Sequence, residues 1–499
     1  MASNKIYLEN KKLRSMLLCK ESGLSPARLA MQYTGNNHED KPRHYCGIAG
    51  IGSPFEINLP EKLFYPLFAL QHRGQESAGI SYNNKGELIF YKDLGMVTQV
   101  LSHYLKENHP SKVGIGHVRY STQGANKLEN AQPITITCNK GQIALAHNGN
   151  TSNSEVLRDR LFKEGSIFQS TSDTELILHL IARSPSLSFQ DALIQTLKDI
   201  EGAYSMLLLH ENTLYAVRDP FGFRPLVLGK APEMIVFASE TCALDTMGIK
   251  EYQEINPGEM VILQGDSLSV TQFSPCLKKS YCIFELIYFS RPDSIVFGYP
   301  VHALRKKMGA ALARIDDHPG DIVIAVPDSG NSAALGYAAQ SGITLEHGLT
   351  RDHYSGRTFI QPLPKLRELG VRMKLHPIKD VIAGKKITLI DDSIVRGTTS
   401  SIIVRLLREA GAKEIHLRLS SPEIKFPCFF GIDIPTKEEL ISNRMSPGEI
   451  AELVNADSVS FLPLPDLRNC VSNPDDFCYA CFNGQYPFPV KDPAIRRKD

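Results

Sequence analysis

Three groups of residues in this sequence have types and spacings suited to chemistry. The first is Cys46, in HYCGIAGIG, where a run of scattered charges gives way to an apolar, Gly-rich stretch. If the chain is cut after Tyr45, Cys46 acquires a free α-amine with a pKa of about 8, able to act as base for its own thiol near neutral pH. For one such cysteine, burial in a core is the plain alternative. The second group lies in ITLIDDSIVRGTTS: Asp391 and Asp392 close an apolar run, and Ser393, Arg396, Gly397, Thr398 and Thr399 lead into a helical pattern. Free amides and hydroxyls at a helix mouth cradle a phosphate, and the two acids suit ribose hydroxyls or a hydrated magnesium ion at its edge. An Asp-capped helix after a buried strand would read similarly. The third is CYACFNG, where Cys478 and Cys481 have a spacing shared by metal centres, zinc sites and thiol–disulfide chemistry.

The elements that must position these residues change character along the chain. From Cys46 to about residue 275, short runs such as GIAGIG, ELIFYKD, IALAHNGN, AYSMLLLH, TLYAVRD and MVILQG alternate with Gly and Asn turns. They predict stacked antiparallel sheets, interrupted by helices near TSDTELILHLIARS and FQDALIQTLKDIEG, hence an α+β layering. After about residue 280 the rhythm becomes strand, turn, helix. DIVIAVPDS leads into SAALGYAAQSG, and KKITLIDDS into GTTSSIIVRLLREAG. In the latter Ile403, Leu406, Leu407 and Ala410 fall on one helical face and Gly411 supplies the stop. This is the pattern of a parallel α/β sheet, whose ligands gather at the carboxyl ends of its strands.

At 499 residues the chain calls for two substantial domains. Lys plus Arg, 55, nearly cancels Asp plus Glu, 54, so there is no overall basic field for nucleic acid or anionic lipid. No segment is apolar for long enough to cross a bilayer, and a soluble protein is expected. Ten cysteines spread over this length do not form a secreted disulfide framework, which favours a reducing cytoplasm. Residues 1–45 read as a leader or propeptide; acidic Glu9 and Glu21 sit badly with an organelle transit signal.

The segments CGIAGIG, LQHRGQESAGI, GIGHVRYSTQG, LAHNGN and STSDTE, in that order, resemble the class II glutamine amidotransferase domain of the N-terminal nucleophile (Ntn) hydrolases, a four-layer αββα fold. The resemblance implies that Cys46 attacks the glutamine side-chain amide, while Asn148 and the Gly149 amide form the oxyanion hole. It also implies that Arg119 and Asp173 hold the substrate's α-carboxylate and α-amine, with His72 and Arg73 in the same glutamine-binding group. The chemistry agrees: a guanidinium matches a carboxylate fork, a carboxylate matches an ammonium, and an Asn amide beside a Gly N–H can aim two donors at one oxyanion.

The motif around Asp391 resembles the phosphoribosyl pyrophosphate (PRPP) motif of type I phosphoribosyltransferases. Asp328 and Ser329, in VPDSGNSAALGY, would then face pyrophosphate, with magnesium held near Ser329, Asp391 and Asp392. Arg357, in SGRTFIQP, begins a basic stretch reaching Lys374 that would close as a lid and keep water from the anomeric carbon. Arg351, Tyr354 and Arg357 would meet the pyrophosphate or order that lid, although Arg-Asp-His-Tyr at 351–354 departs from the usual Lys-Asn-Arg-Tyr. Cys282 in SYCIFELIYFSRPDS and Cys428 in FPCFFGIDIPT lie in segments resembling those that join a CxxC pair to hold a 4Fe-4S cluster.

Together these features resemble the iron–sulfur type of the amidophosphoribosyltransferase family. That implies ammonia transfer from glutamine to C1 of PRPP, the first committed step of purine synthesis. It implies inhibition by AMP, GMP and purine diphosphates, and a homotetramer. The expected organisation is a leader at 1–45, an amidotransferase domain at 46–275, a type I phosphoribosyltransferase domain at 276–455 and a cluster-binding segment at 456–499. Cys19, Cys138, Cys242, Cys276 and Cys470 match no ligand position and are expected to be structural. An amidotransferase making glucosamine 6-phosphate would need sugar-isomerase modules in place of LIDDSIVRGTTS. A non-enzymatic nucleotide sensor would have no need of intact Cys46, Arg119, Asn148 and Asp173.

Overall fold

The computed structural model describes residues 46–120, 127–186, 188–352, 371–432, 434 and 436–489. The expected leader and the lid residues His353, Tyr354 and Arg357 lie outside these.

The first half is built on two antiparallel sheets. One orders its seven strands as Glu251–Glu254, Val227–Ala231, Met234–Ala238, Gly47–Asn58, Pro110–Arg119, Ser77–Asn84 and Glu87–Leu94. The other orders six as Ser267–Gln272, Glu259–Gln264, Thr213–Arg218, Gly202–His210, Gly141–Thr151 and Ile134–Cys138. Because side chains alternate along a strand, each sheet sorts its residues onto two faces. Ile48, Ala144, Ala146, Leu207 and Leu209 meet in a core between the sheets. Ala49 and Ile51 face outward against Leu59, Leu63 and Leu67 of the helix Leu59–Ala69. Ile143, Leu145, Met206 and Leu208 face the other way, against the helices Asp173–Arg183 and Phe189–Asp199. The result is helix, sheet, sheet, helix: the four-layer αββα fold.

The second half carries a parallel sheet ordered Ile322–Ala325, Lys386–Asp391, Glu414–Leu419 and Ser458–Phe461. The helices Val301–Arg314 and Asn331–Ser341 cross in backbone contact, since a Cβ on Gly309 would lie 1.8 Å from the Ala333 carbonyl. Ile403, Leu406 and Leu407 of the helix Thr398–Glu409 are buried as their spacing predicts, and Gly411, at φ +95°, follows its end. One boundary differs from expectation. The strand Ser458–Phe461 pairs with His416–Leu419, so the sheet runs past residue 455, and Tyr281–Cys282 pairs in parallel with Phe477–Cys478. The C-terminal segment is therefore woven into the second half by backbone hydrogen bonds.

Candidate functional site

Cys46 stands just before the strand Gly47–Asn58, buried, with its Sγ 3.8 Å from the Tyr120 carbonyl. Burial pushes its thiol up to about 11, and the neighbouring Arg119 acts in the opposite direction. Asp173 and Glu76 are also close enough for their charge to raise it. Asn148 falls in phase with Ala144 and Ala146, so its side chain belongs to the inner face of its sheet, where it is fully buried. Among the described residues neither Asn148 Oδ1 nor Nδ2 has a hydrogen-bond partner. An amide buried in this way has donors held for a ligand.

Gly149 is fixed by its surroundings. Its φ is +155°, and a Cβ there would lie 2.0 Å from the Ala203 carbonyl. Strand N–H groups alternate in direction, and those on either side of it in phase are accounted for. His147 N donates to Gln132 Oε1 at 2.7 Å and Thr151 N to Asp173 Oδ2 at 2.9 Å. Gly149 N–H faces the same edge, because the pairing with Gly202–His210 continues through Thr151. Asp173 begins its helix, where Ser172 caps by accepting from Thr174 N and the helix dipole favours an acid. Arg119, at the end of its strand, has Glu76 at 3.9 Å. The structure thus brings Cys46, Arg119, Asn148, Gly149 and Asp173 together at one end of the sandwich. Burial pushes His117 down to about 3, and also lowers His147 despite Asp173 at 3.8 Å.

His72 and Arg73 occupy a different environment. Arg73 is buried and donates through Nε to Glu240, and through Nη2 to Glu285 at 2.6 Å and Ser290 at 3.4 Å. His72 Nε2 meets Glu240 at 2.7 Å. The far oxygen of Glu240 accepts from Arg291 N at 2.9 Å and Ser294 Oγ at 2.7 Å. Burial alone would raise Glu240; Arg73 and His72 reverse that and hold it well below the usual carboxylate range. This cluster ties the first half to the π-helical turn Glu285–Phe289 of the second.

In the second half Asp391 ends its strand, and Asp391, Asp392 and Ser393 are buried. Ser329 Oγ donates to Asp391 Oδ1 at 3.1 Å, joining the turn after Ile322–Ala325 to the diacid. Exposed Asp328 pairs with Arg351. Gly397, at φ +84°, turns the chain into the helix Thr398–Glu409, leaving Thr398 exposed and Thr399 half-buried at its mouth. Arg396 pairs with Glu439 at 2.7 Å. The hairpin of Leu349–Arg351 with Leu375–Pro377 forms the described base of the expected lid.

Cys282 and Cys478 sit directly across the parallel pair of strands, and Lys425 N and Phe426 N donate to the Cys481 carbonyl, bringing the Cys428 loop alongside. Burial pushes the Cys282 thiol up to about 11 and also raises those of Cys428, Cys478 and Cys481. For Cys481 the charges of Cys478, Cys428 and Cys282 add to burial, as expected of neighbours. Among the described residues no group of three or more His, Cys, Asp or Glu side chains is arranged to hold a metal ion. No helix among them is long and apolar enough to cross a membrane.

Several residues in these sites carry no mark in the sequence. The Tyr120 carbonyl beside the thiol and the Thr151 N–H on Asp173 are backbone groups, which residue type does not report. Glu240 and Glu285 lie 167 and 212 residues from Arg73, too far along the chain for spacing to link them.

The chain is similar to known proteins over most of its length. A family model for the glutamine amidotransferase domain matches residues 117–246. Amidophosphoribosyltransferase 1, chloroplastic, of Arabidopsis thaliana is 47% identical, over 93% of this chain and 82% of its own. The amidophosphoribosyltransferase of Bacillus subtilis is 45% identical, over 90% of this chain and 95% of its own. The solved structure of the B. subtilis glutamine PRPP amidotransferase complexed with ADP and GMP superposes with a TM-score of 0.84 at 43% identity, covering 90% of this chain and 98% of that one. With both halves matched in order and nearly end to end, the chain belongs to the amidophosphoribosyltransferase family.

Proposed function

We propose that the chain hydrolyses glutamine at Cys46 and delivers the ammonia to C1 of PRPP, giving 5-phosphoribosylamine, pyrophosphate and glutamate. Arg119 receives the α-carboxylate of glutamine and Asp173 its α-amine. Once the chain begins at Cys46, its own α-amine takes the thiol proton as the sulfur bonds to the side-chain carbonyl carbon, and the resulting oxyanion accepts from Asn148 Nδ2 and Gly149 N–H. On collapse the Cys46 α-ammonium returns that proton to the departing nitrogen, ammonia leaves, and water then cleaves the thioester to release glutamate. In the second half ammonia bonds to C1 as the C1–pyrophosphate bond breaks. The observation that carries this reading is the buried Asn148 amide, unpartnered among the described residues and next to Gly149, on the strand end where Thr151 N–H meets Asp173. Two donors so placed stabilise an oxyanion by ~3–4 kcal/mol each in comparable sites.

The 5-phosphate is assigned to the turn Ser393 to Thr399, the ribose to Asp391 and Asp392, and pyrophosphate to Asp328 and Ser329. Two acids and a serine fit a magnesium ion that draws its remaining ligands from water and phosphate, so magnesium is proposed to arrive with PRPP. It would neutralise charge on the leaving pyrophosphate. Arg73 we assign to support of the interface, because its donors are committed to Glu240 and Glu285. Cys282, Cys428, Cys478 and Cys481 are soft donors on segments knit together, and on the family resemblance they are proposed as the residues that would hold a 4Fe-4S cluster as a structural or oxygen-sensing group. Iron and labile sulfide analysis of anaerobically purified protein should find about four of each per chain, and neither in a Cys478→Ser variant. The B. subtilis protein was solved with ADP and GMP, which supports purine nucleotides as ligands here; inhibition by them and a homotetrameric assembly are proposed from the family resemblance. The reducing cytoplasm remains the proposed location, on the wide spread of ten cysteines along the sequence.

Cys46→Ser tests the reading. Glutamine-dependent synthesis should fall by ~10⁴-fold or more, while synthesis from ammonium salts persists. Equal loss of both would contradict a division of labour between two sites.

A further inference from the structure

The loop that carries Cys428 leaves the second half and ends against the Gly149–Asn150 peptide, the next one along from the Gly149 N–H assigned above to the oxyanion hole. Several contacts fix it there. Asn150 Nδ2 donates to the Phe429 carbonyl at 2.9 Å, and the buried Arg224 guanidinium donates to the Phe430 carbonyl. The Phe430 ring is buried and stacks on Phe223 with centroids 4.4 Å apart. Gly431, at φ +92°, approaches so closely that a Cβ on it would lie 3.0 Å from the Gly149 carbonyl carbon and 3.3 Å from Asn150 N.

The strand Gly141–Thr151 needs such a support at this end. On one side it is paired with Gly202–His210 as far as Thr151, but the strand on its other side makes its last pair at Ile134 and Leu145. Beyond Leu145 the N–H groups of that edge meet, among the described residues, the side-chain acceptors Gln132 and Asp173. An oxyanion donor works only when aimed at the developing charge, and displacements of well under 1 Å matter at such sites.

We propose that Phe429–Gly431 is a strap from the transferase half that sets the orientation of the Gly149 peptide, with Asn150 and Gly431 as positioning residues for glutamine hydrolysis. The proposal rests on reading Asn148 and Gly149 as the oxyanion donors. It gives the glutaminase a part that its own fold does not supply. It also explains why a small residue is required at 431, where any side chain would press on the Gly149–Asn150 peptide that follows the oxyanion donor.

The test compares Asn150→Ala, Gly431→Ala and Asn148→Ala in the full-length protein, measuring synthesis from glutamine, synthesis from ammonium salts, and thermal unfolding. Asn150→Ala and Gly431→Ala should each lower kcat with glutamine by ~10-fold, less than outright loss of an oxyanion donor. KM for glutamine should stay within about twofold and ammonium-dependent synthesis should be unchanged, the pattern of an interaction made only in the transition state. If Asn148→Ala abolishes glutamine use while both strap variants keep the parental kcat, the strap proposal is overturned and the oxyanion reading stands. Parallel loss of both activities with a lowered Tm in Asn150→Ala would equally overturn it, marking a merely structural contact. If Asn148→Ala itself retains glutamine use, the oxyanion reading fails, and the strap proposal with it.

Discussion

A thiol buried as Cys46 is stays protonated near neutral pH, since burial lifts it to about 11 even with Arg119 beside it. Some base must take its proton, and the buried His117 and His147 are poor candidates for a switch, because burial lowers both and His117 reaches about 3. A free α-amine on Cys46, exposed by cleavage after Tyr45, is the remaining base, with an ordinary pKa of about 8. For protein beginning at Cys46, kcat/KM for glutamine should therefore rise about tenfold per pH unit and level off near pH ~8, with no break near the ordinary histidine value. A break near pH ~6.5 would assign the base to a histidine instead. At this scale the sequence was informative wherever chemistry depends on side-chain type, as at Cys46, Arg119, Asn148 and Asp173. It was silent where the partner is a backbone group, such as the Tyr120 carbonyl or the Thr151 N–H.

Strands and helices of the first half follow from the two-residue and helical periods, which separate Ile48, Ala144 and Leu207 from Ala49, Ile143 and Leu208. Pairing across the sequence does not follow from periods, and the buried Arg73–Glu240–Glu285 cluster is the chief example. Removing one member of such a cluster leaves a buried charge uncompensated. Arg73→Ala should cost ~3–5 kcal/mol in denaturant unfolding and should depress glutamine- and ammonium-dependent synthesis together. A selective rise in KM for glutamine at unchanged stability would instead make Arg73 a substrate ligand. Acid acts on the same layers through His117. Its folded pKa, about 3, lies below the ordinary 6.5, so the unfolded chain binds more protons between those values. Its contribution to stability should thus be complete above pH 6.5 and decline as the pH falls through the window below, as thermal melts across that range would show.

Across the whole molecule, the order of the two halves was legible because each carries its motifs on its own strands. The last forty or so residues were not, being short, Pro-rich and without a period. Their place is set by partners far away in sequence: Ser458–Phe461 completes the parallel sheet, and Phe477–Cys478 pairs with Tyr281–Cys282. Phe430, Phe223 and Phe488 then close an aromatic core around this junction, where the two halves meet beside Asn150. Such contact between the halves is what a reaction split between two sites demands, since ammonia lost to solvent is diluted before it can meet C1. Glutamine labelled with nitrogen-15 in its side-chain amide, supplied with PRPP and magnesium in a large excess of unlabelled ammonium at a pH that keeps it protonated, measures this directly. The label should appear in 5-phosphoribosylamine undiluted by the ammonium pool; label confined to free ammonia, with unlabelled product, would contradict the account.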